Sequence, residues 1–160
     1  MTMRNTKFLI QAAIIAAVYA VLTIVLMPFS YGVMQVRVSE ALTVLPFFTP
    51  AAIPGLFVGC LVSNMLGPYG LMDMVFGSGA TLIAAVCSYC LRKRPLLVPL
   101  PPVVANGVII GSMLYFAYEV PLPLYACMLW VAAGELIACY GLGYPLLRML
   151  QKYKKIFELH

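Results

Sequence analysis

The sequence contains little charge. Of its 160 residues, 9% are Asp, Glu, Lys or Arg, against about 25% in an ordinary soluble domain. So few charged side chains could not coat the surface of a globular protein in water. The hydrophobic content of 64% and the mean hydropathy of +1.01 exclude a disordered chain as well. The composition therefore predicts an integral membrane protein, and the length allows one membrane domain over residues 1–160.

Catalytic and metal-binding residue types are scarce too. The one histidine is His160, and there are five acidic residues, too few to predict a metal cluster, a cofactor site or an enzyme. Five cysteines are interpreted as packing residues, including the pair Cys87 and Cys90. The sequence has no G-x-x-x-x-G-K-[ST] motif, so any ATP-driven step would need another subunit. The ten basic residues form no stripe, which excludes a nucleic-acid reader.

The distribution of charge predicts the topology. Nine of the ten basic residues fall in three clusters, and basic loops stay on the cytoplasmic side. Residues 41–72 are long enough to cross the membrane once or twice, and of these two possibilities only two crossings place the first two clusters on the same side. The expected fold is therefore an all-α bundle of six transmembrane helices with both termini cytoplasmic. The second helix is too short to span alone and should pack inside. The predicted helices are 8–28, 40–49, 52–67, 72–91, 96–117 and 122–147, with outside loops at 29–39, 68–71 and 118–121.

Polar side chains inside the apolar segments indicate a binding site. An ionisable group there is costly and usually faces the bundle interior or a wet cavity. All these polar side chains fall between the predicted outer surface and the midplane of the membrane, which favours a ligand cavity open to the outside. Trp130 is added because it lies close to Glu135 in sequence. The candidate substrate-binding residues are Glu135, Asp73, Asn106, Glu40, Asn64, Arg37 and Trp130.

Each candidate also has a structural explanation. Arg37 and Glu40 could form a local ion pair, and Asp73 could complement a helix dipole. The two Asn amides could join helices, and Trp130 could anchor at the interface. Glu135 is the hardest to explain in this way, because no basic residue shares its helix at that depth.

The first predicted helix carries rows of small residues. Ala12, Ala16 and Ala20 recur every fourth position, and Ala13 and Ala17 form a second row. Small residues at this spacing let another helix approach closely. The row could serve packing within the bundle or docking of a partner membrane protein.

Several runs of residues resemble one transporter family. The run 36–46 (VRVSEALTVLP) resembles the QueT family of substrate-binding S components of energy-coupling-factor (ECF) transporters. The segments 73–81 (DMVFGSGAT), 99–106 (PLPPVVAN) and 134–146 are similar to the same family. Met72 stands where that family commonly has Trp. The resemblance covers nearly the whole chain.

The resemblance implies a function. ECF S components are six-helix proteins of the cell membrane that capture vitamins or nucleobase-like compounds from outside. Here the expected ligand is a queuosine precursor such as queuine, preQ1 or a related 7-deazaguanine. The row Ala12, Ala16 and Ala20 would dock on a membrane coupling protein, and two partner ATPases would use ATP to topple the S component.

The chemistry of a 7-deazaguanine suggests a role for each polar residue. Glu135 would accept the two donors of the guanine edge, and Asp73 or Glu40 would hold the cationic arm. The two Asn amides would bind the remaining polar atoms. Arg37 would orient Glu40, or would indicate a ligand with a neutral or acidic group instead of a cationic arm. The alternatives are an S component for riboflavin, thiamine or folate, and a membrane scaffold protein without a ligand.

Overall fold

The regular structure of the described chain is entirely helical. The computed structural model describes residues 3–26, 37–67 and 70–153. The predicted all-α class is confirmed for these residues, and most of the predicted loops 29–39 and 68–71 lies outside them. The helices are α1 (Met3–Val25), α2 (Val38–Phe47), α3 (Ala52–Met65), α4 (Gly70–Cys90), α5 (Leu100–Phe116) and α6 (Leu124–Tyr153).

Four of the helices could cross a membrane. By length and composition these are α1, α4, α5 and α6, and the span of α5 also includes the preceding turn Pro95–Leu97. Large apolar side chains cover their outer faces, for example Ile14 and Leu129, as expected for contact with lipid. The fold is therefore that of a multi-pass membrane protein. α2 and α3 are shorter, with 10 and 14 residues. Each covers about 20 Å, less than the roughly 30 Å of a hydrocarbon core.

The short helix α2 lies in the middle of the bundle. It packs against α1, α3, α4 and α6, and seven of its ten residues are buried. Its backbone is wound as a 3₁₀-helix and includes Pro46; such helices rarely run beyond three or four residues. The prediction that the second helix packs inside the protein is confirmed.

Glycine residues bring α3 against α1. A methyl group on Gly55 would lie 2.8 Å from the carbonyl oxygen of Ala12, and one on Gly59 would lie 2.8 Å from that of Ala16. The two backbones therefore touch without intervening side chains, the arrangement that small residues four apart permit. The predicted docking row thus faces α3, and Ala20, its third member, is buried.

The ends of α2 and α3 show how these helices cross the bundle. The turn between them includes Pro50, which lines a cavity of about 340 Å³ together with Arg92 of the basic loop. We call this end of the bundle the basic end. At the opposite end, Arg37 precedes α2 and contacts Asp73 of α4, and Asn64 near the end of α3 contacts Asp73 as well. α2 therefore runs toward the basic end, and α3 returns from it.

Candidate ligand-binding site

A buried ion pair lies at the end opposite the basic end. Arg37 donates from one terminal nitrogen to Asp73 Oδ2 at 3.0 Å, and Oδ1 lies 3.4 Å from the same nitrogen. Asn64 donates its Nδ2 to the backbone carbonyl of Asp73 at 2.9 Å. The sequence did not suggest this pairing, because the two charged residues are 36 positions apart. Asp73 is therefore already neutralised within the protein.

Local backbone geometry positions these groups. α4 contains a π-helical turn at Asp73–Gly77, directly after its first residues Gly70–Met72, and single π-turns in α-helices often mark functional sites. Gly77 leaves room for Asn64, since a methyl group there would lie 2.7 Å from Asn64 Nδ2. α4 and α3 can therefore approach closely enough for the amide to reach the backbone of α4.

Glu40 lies on α2 and is fully buried. Tyr19 of α1 donates its hydroxyl to Glu40 Oε1, and Thr43 Oγ1 donates to the backbone carbonyl of Glu40 at 2.5 Å. The second carboxylate oxygen, Oε2, has no hydrogen-bond partner among the described residues. One carboxylate oxygen of Glu40 is thus held by the protein, and the other is buried without a partner among the described residues.

Glu135 lies on α6 and is joined to Glu40 through Cys139. The Cys139 sulfur lies 3.6 Å from Glu135 Oε2 and 3.6 Å from the backbone oxygen of Glu40. The side chain of Asn106 on α5 hydrogen-bonds Glu135. A second π-helical segment, Ile137–Gly143, begins two residues after Glu135. The two buried carboxylates therefore belong to one cluster.

Three buried side-chain atoms have no hydrogen-bond partner within the described part of the chain: Glu40 Oε2, Asn64 Oδ1 and Ser78 Oγ. Buried polar atoms are almost always paired with protein or ordered water. Unpaired acceptors inside an apolar bundle are therefore suited to a ligand that donates hydrogen bonds. No group of three or more potential metal ligands occurs among the described residues.

The structure brings together six of the seven candidate residues, five of them from five different helices and the sixth from the position before α2. Each of the six is at most 4% exposed. We call them the polar cluster: Arg37, Glu40, Asn64, Asp73, Asn106 and Glu135. Sequence reasoning missed four residues that contact it, namely Tyr19, Thr43, Cys60 and Cys139. A hydroxyl group in the middle of an apolar helix was the available signal for Tyr19.

Trp130 lies outside the polar cluster. It is 45% exposed, whereas the buried residues of this part of α6 are Cys127, Val131, Gly134 and Glu135. At about 100° per residue, five positions turn the helix by roughly 140°, so Trp130 and Glu135 point in different directions. Met72 is also exposed, and it lines an apolar groove of about 510 Å³ between α4 and α5.

A helical bundle with four helices apolar and long enough to cross a membrane is a multi-pass membrane protein. The chain belongs to the QueT transporter family, whose model matches residues 9–152. This confirms the predicted family, which is described as a family of transporters and not of enzymes.

A curated relative and the solved structures were compared as well. Over 81 residues the chain is 37% identical to the "Queuosine precursor transporter QueT" of Lactococcus lactis subsp. cremoris (strain MG1363). The match covers 49% of this chain and 47% of the relative, so the chain spans about half the length of that protein. No solved structure matches.

Proposed function

We propose that this chain is the substrate-binding S component of an ECF-type importer in the cell membrane. Its polar cluster would capture a queuosine precursor of the 7-deazaguanine class from outside. Membership of the QueT transporter family and the printed name of the Lactococcus relative support this. The observation that carries it is the buried cluster with unpaired acceptor atoms inside an otherwise apolar bundle.

The guanine edge of the ligand fits a carboxylate. Its N1–H and its exocyclic amine are adjacent donors, and one carboxylate can accept both. Glu135 is the proposed acceptor, with Asn106 beside it to orient the carboxylate and bind a further polar atom. The unpaired Oδ1 of Asn64 accepts another ligand hydrogen. Hydrogen bonds to charged groups contribute about 1.5–3 kcal/mol each, so these contacts supply several kcal/mol.

Delivery into the cell requires partners. The sequence lacks a phosphate-binding loop motif, so ATP is used by two partner ATPases acting through a membrane coupling protein. α1 is the least buried of the four long helices, which makes it the proposed docking surface. Ala12 and Ala16 pack against α3, whereas Ala13 and Ala17 are exposed. The coupling protein would therefore approach the Ala13 and Ala17 row, beside the row that packs on α3.

The test is a binding panel on the purified protein in detergent, read by thermal shift and calorimetry. The panel holds queuine, preQ1, preQ0, guanine, riboflavin, thiamine and folate. A ligand that binds only the folded state stabilises it by about 2.7 kcal/mol at a hundredfold excess over Kd. We expect a selective shift with at least one 7-deazaguanine.

Two variants test the role proposed for Glu135 in ligand binding. Glu135→Gln should weaken 7-deazaguanine binding by about tenfold or more, because the amide cannot accept both donors of the guanine edge. Glu119→Gln is the matched control, since it makes the same change at an exposed acid. A shift with a vitamin instead would replace the queuosine assignment. No shift with any compound would favour the scaffold interpretation, in which Glu135→Gln leaves partner binding intact.

A further inference from the structure

The polar cluster contains more acidic than basic side chains. It holds three carboxylates, those of Glu40, Asp73 and Glu135, and one cation, Arg37, which gives a formal charge of −2. The sequence has no charged residue at positions 27–36 or 68–69, so neither segment can supply a further cation. The other basic residues of the described chain lie near the basic end or the chain ends, as in Arg92, and not in this cluster.

The formal negative charge can be assigned to particular carboxylates. Asp73 is paired with Arg37 at 3.0 Å. Glu135 has the Asn106 side chain and the Cys139 thiol as neighbours. Glu40 receives one hydrogen bond, from Tyr19, and its Oε2 is buried and without a partner among the described residues. A buried charge without compensation is costly, so Glu40 Oε2 is the point at which a positive group is most stabilising.

A ligand can supply that positive group. Queuine and preQ1 carry a protonated amine on the arm attached to the 7-deazaguanine ring, whereas preQ0 carries a neutral nitrile and guanine carries no arm. All four present the same guanine edge to Glu135. A charge-assisted hydrogen bond from the ammonium group to a carboxylate is roughly twice as strong as a neutral one. The arm therefore distinguishes ligands that the ring does not.

We propose that the site selects 7-deazaguanines with a protonated amine on the arm, and that Glu40 is the residue that makes the selection. This inference rests on the proposed function and adds the charge of the preferred ligand to it. Arg37 is no obstacle to a cationic ligand, because Asp73 neutralises it. The selection works by exclusion as well as attraction, since a neutral arm would leave Glu40 uncompensated.

The first test uses the unaltered protein and two ligands of nearly the same shape. Calorimetry compares preQ1 with 7-hydroxymethyl-7-deazaguanine, in which a neutral hydroxyl replaces the ammonium group. We expect preQ1 to bind about tenfold tighter or more. Equal affinities would overturn the inference while leaving the proposed function standing. If neither compound nor queuine binds, the proposed function itself fails and the inference falls with it.

The second test assigns the selection to Glu40. Glu40→Gln should weaken preQ1 binding by about tenfold or more and change preQ0 binding by less than about threefold, so the preference collapses. Glu40→Asp keeps the charge and should retain a preference for preQ1. Glu119→Gln serves as the exposed control. A Glu40→Gln protein that weakens both ligands equally would show a structural role and would overturn the assignment.

Discussion

At the scale of single residues, the ion pair of Arg37 and Asp73 is the feature that organises the charges. Both side chains are at most 4% exposed, so forming the pair removes two charges from water at a considerable cost. The pair is consequently weak support for stability taken as a whole. Removing one partner is a different matter, because the remaining charge stays buried alone.

We expect Arg37→Gln to lower the free energy of unfolding by about 3–5 kcal/mol. The substitution leaves Asp73 uncompensated beside two further carboxylates. The double variant Arg37→Gln with Asp73→Asn should recover much of the loss, because both charges are then gone. Thermal unfolding of the detergent-solubilised protein measures both variants. Equal losses in the single and double variants would show that the pair has no such role.

The residues of the site differ in how readily they can be predicted from the sequence. Arg37, Glu40 and Glu135 could be found because a charge inside an apolar segment is costly and needs a reason. Cys139 could not, because it is an ordinary helix residue until the neighbouring helix is known. For Tyr19 the only signal was a hydroxyl group within an apolar helix. Trp130 was chosen for its closeness in sequence to Glu135, but the turn of the helix directs it elsewhere.

At the scale of helices, α1 has one face packed on α3 and one exposed face. One face meets α3 through backbone contacts at Gly55 and Gly59. The other exposes Ala13, Ala17 and large apolar side chains such as Ile14. The sequence showed both rows of alanines but not which of them α3 would cover. That choice depends on the glycines of α3, which lie some forty positions further along the chain.

Substitutions should separate the two faces. Gly59→Ala should cost about 1–3 kcal/mol of stability, because its methyl group would lie 2.8 Å from the Ala16 carbonyl oxygen. Gly79→Ala is the control, since no heavy atom beyond its own helix and chain neighbours lies within 4 Å of the added methyl group. Ala17→Leu should leave stability and ligand binding unchanged and weaken co-purification with the coupling protein. A Gly59→Ala protein as stable as the unaltered protein would contradict the close packing of α3 on α1. Undiminished co-purification of Ala17→Leu would contradict docking at the exposed face of α1.

The sequence predicted the character of α2 better than the end of α6. α2 was expected to be short and internal, and it is, but its 3₁₀ winding depends on how it packs around Pro46. α6 continues to Tyr153, beyond the predicted end at 147. Pro145 follows the π-helical segment, at the start of the α-helical part Tyr144–Leu150. Proline is tolerated in the first turn of a helix, so it does not end α6.

At the scale of the whole molecule, the number of membrane crossings is the central question. Length and composition identify four spanning helices, whereas the sequence predicted six. Either number places the basic clusters on one side of the membrane. The path of α2 and α3 favours the larger number. Their turn at Pro50 meets Arg92 at the basic end, and their other ends meet Asp73. Two short helices joined in this way would cross as a pair, sheltered by the long helices around them.

Cysteine labelling in intact cells tests this topology. We expect a membrane-impermeant maleimide to label Glu119→Cys directly, and to label Lys93→Cys and Pro50→Cys only after permeabilisation, because basic loops stay inside. All three positions are exposed. The background protein carries Ala in place of Cys87 and Cys90, the two exposed native cysteines among the described residues. Labelling of Pro50→Cys in intact cells, with Lys93→Cys still protected, would mean that α2 and α3 do not cross together and that the bundle has four crossings. Labelling of Lys93→Cys in intact cells would reverse the orientation and place the polar cluster on the cytoplasmic side, which an importer that captures its ligand from outside does not allow.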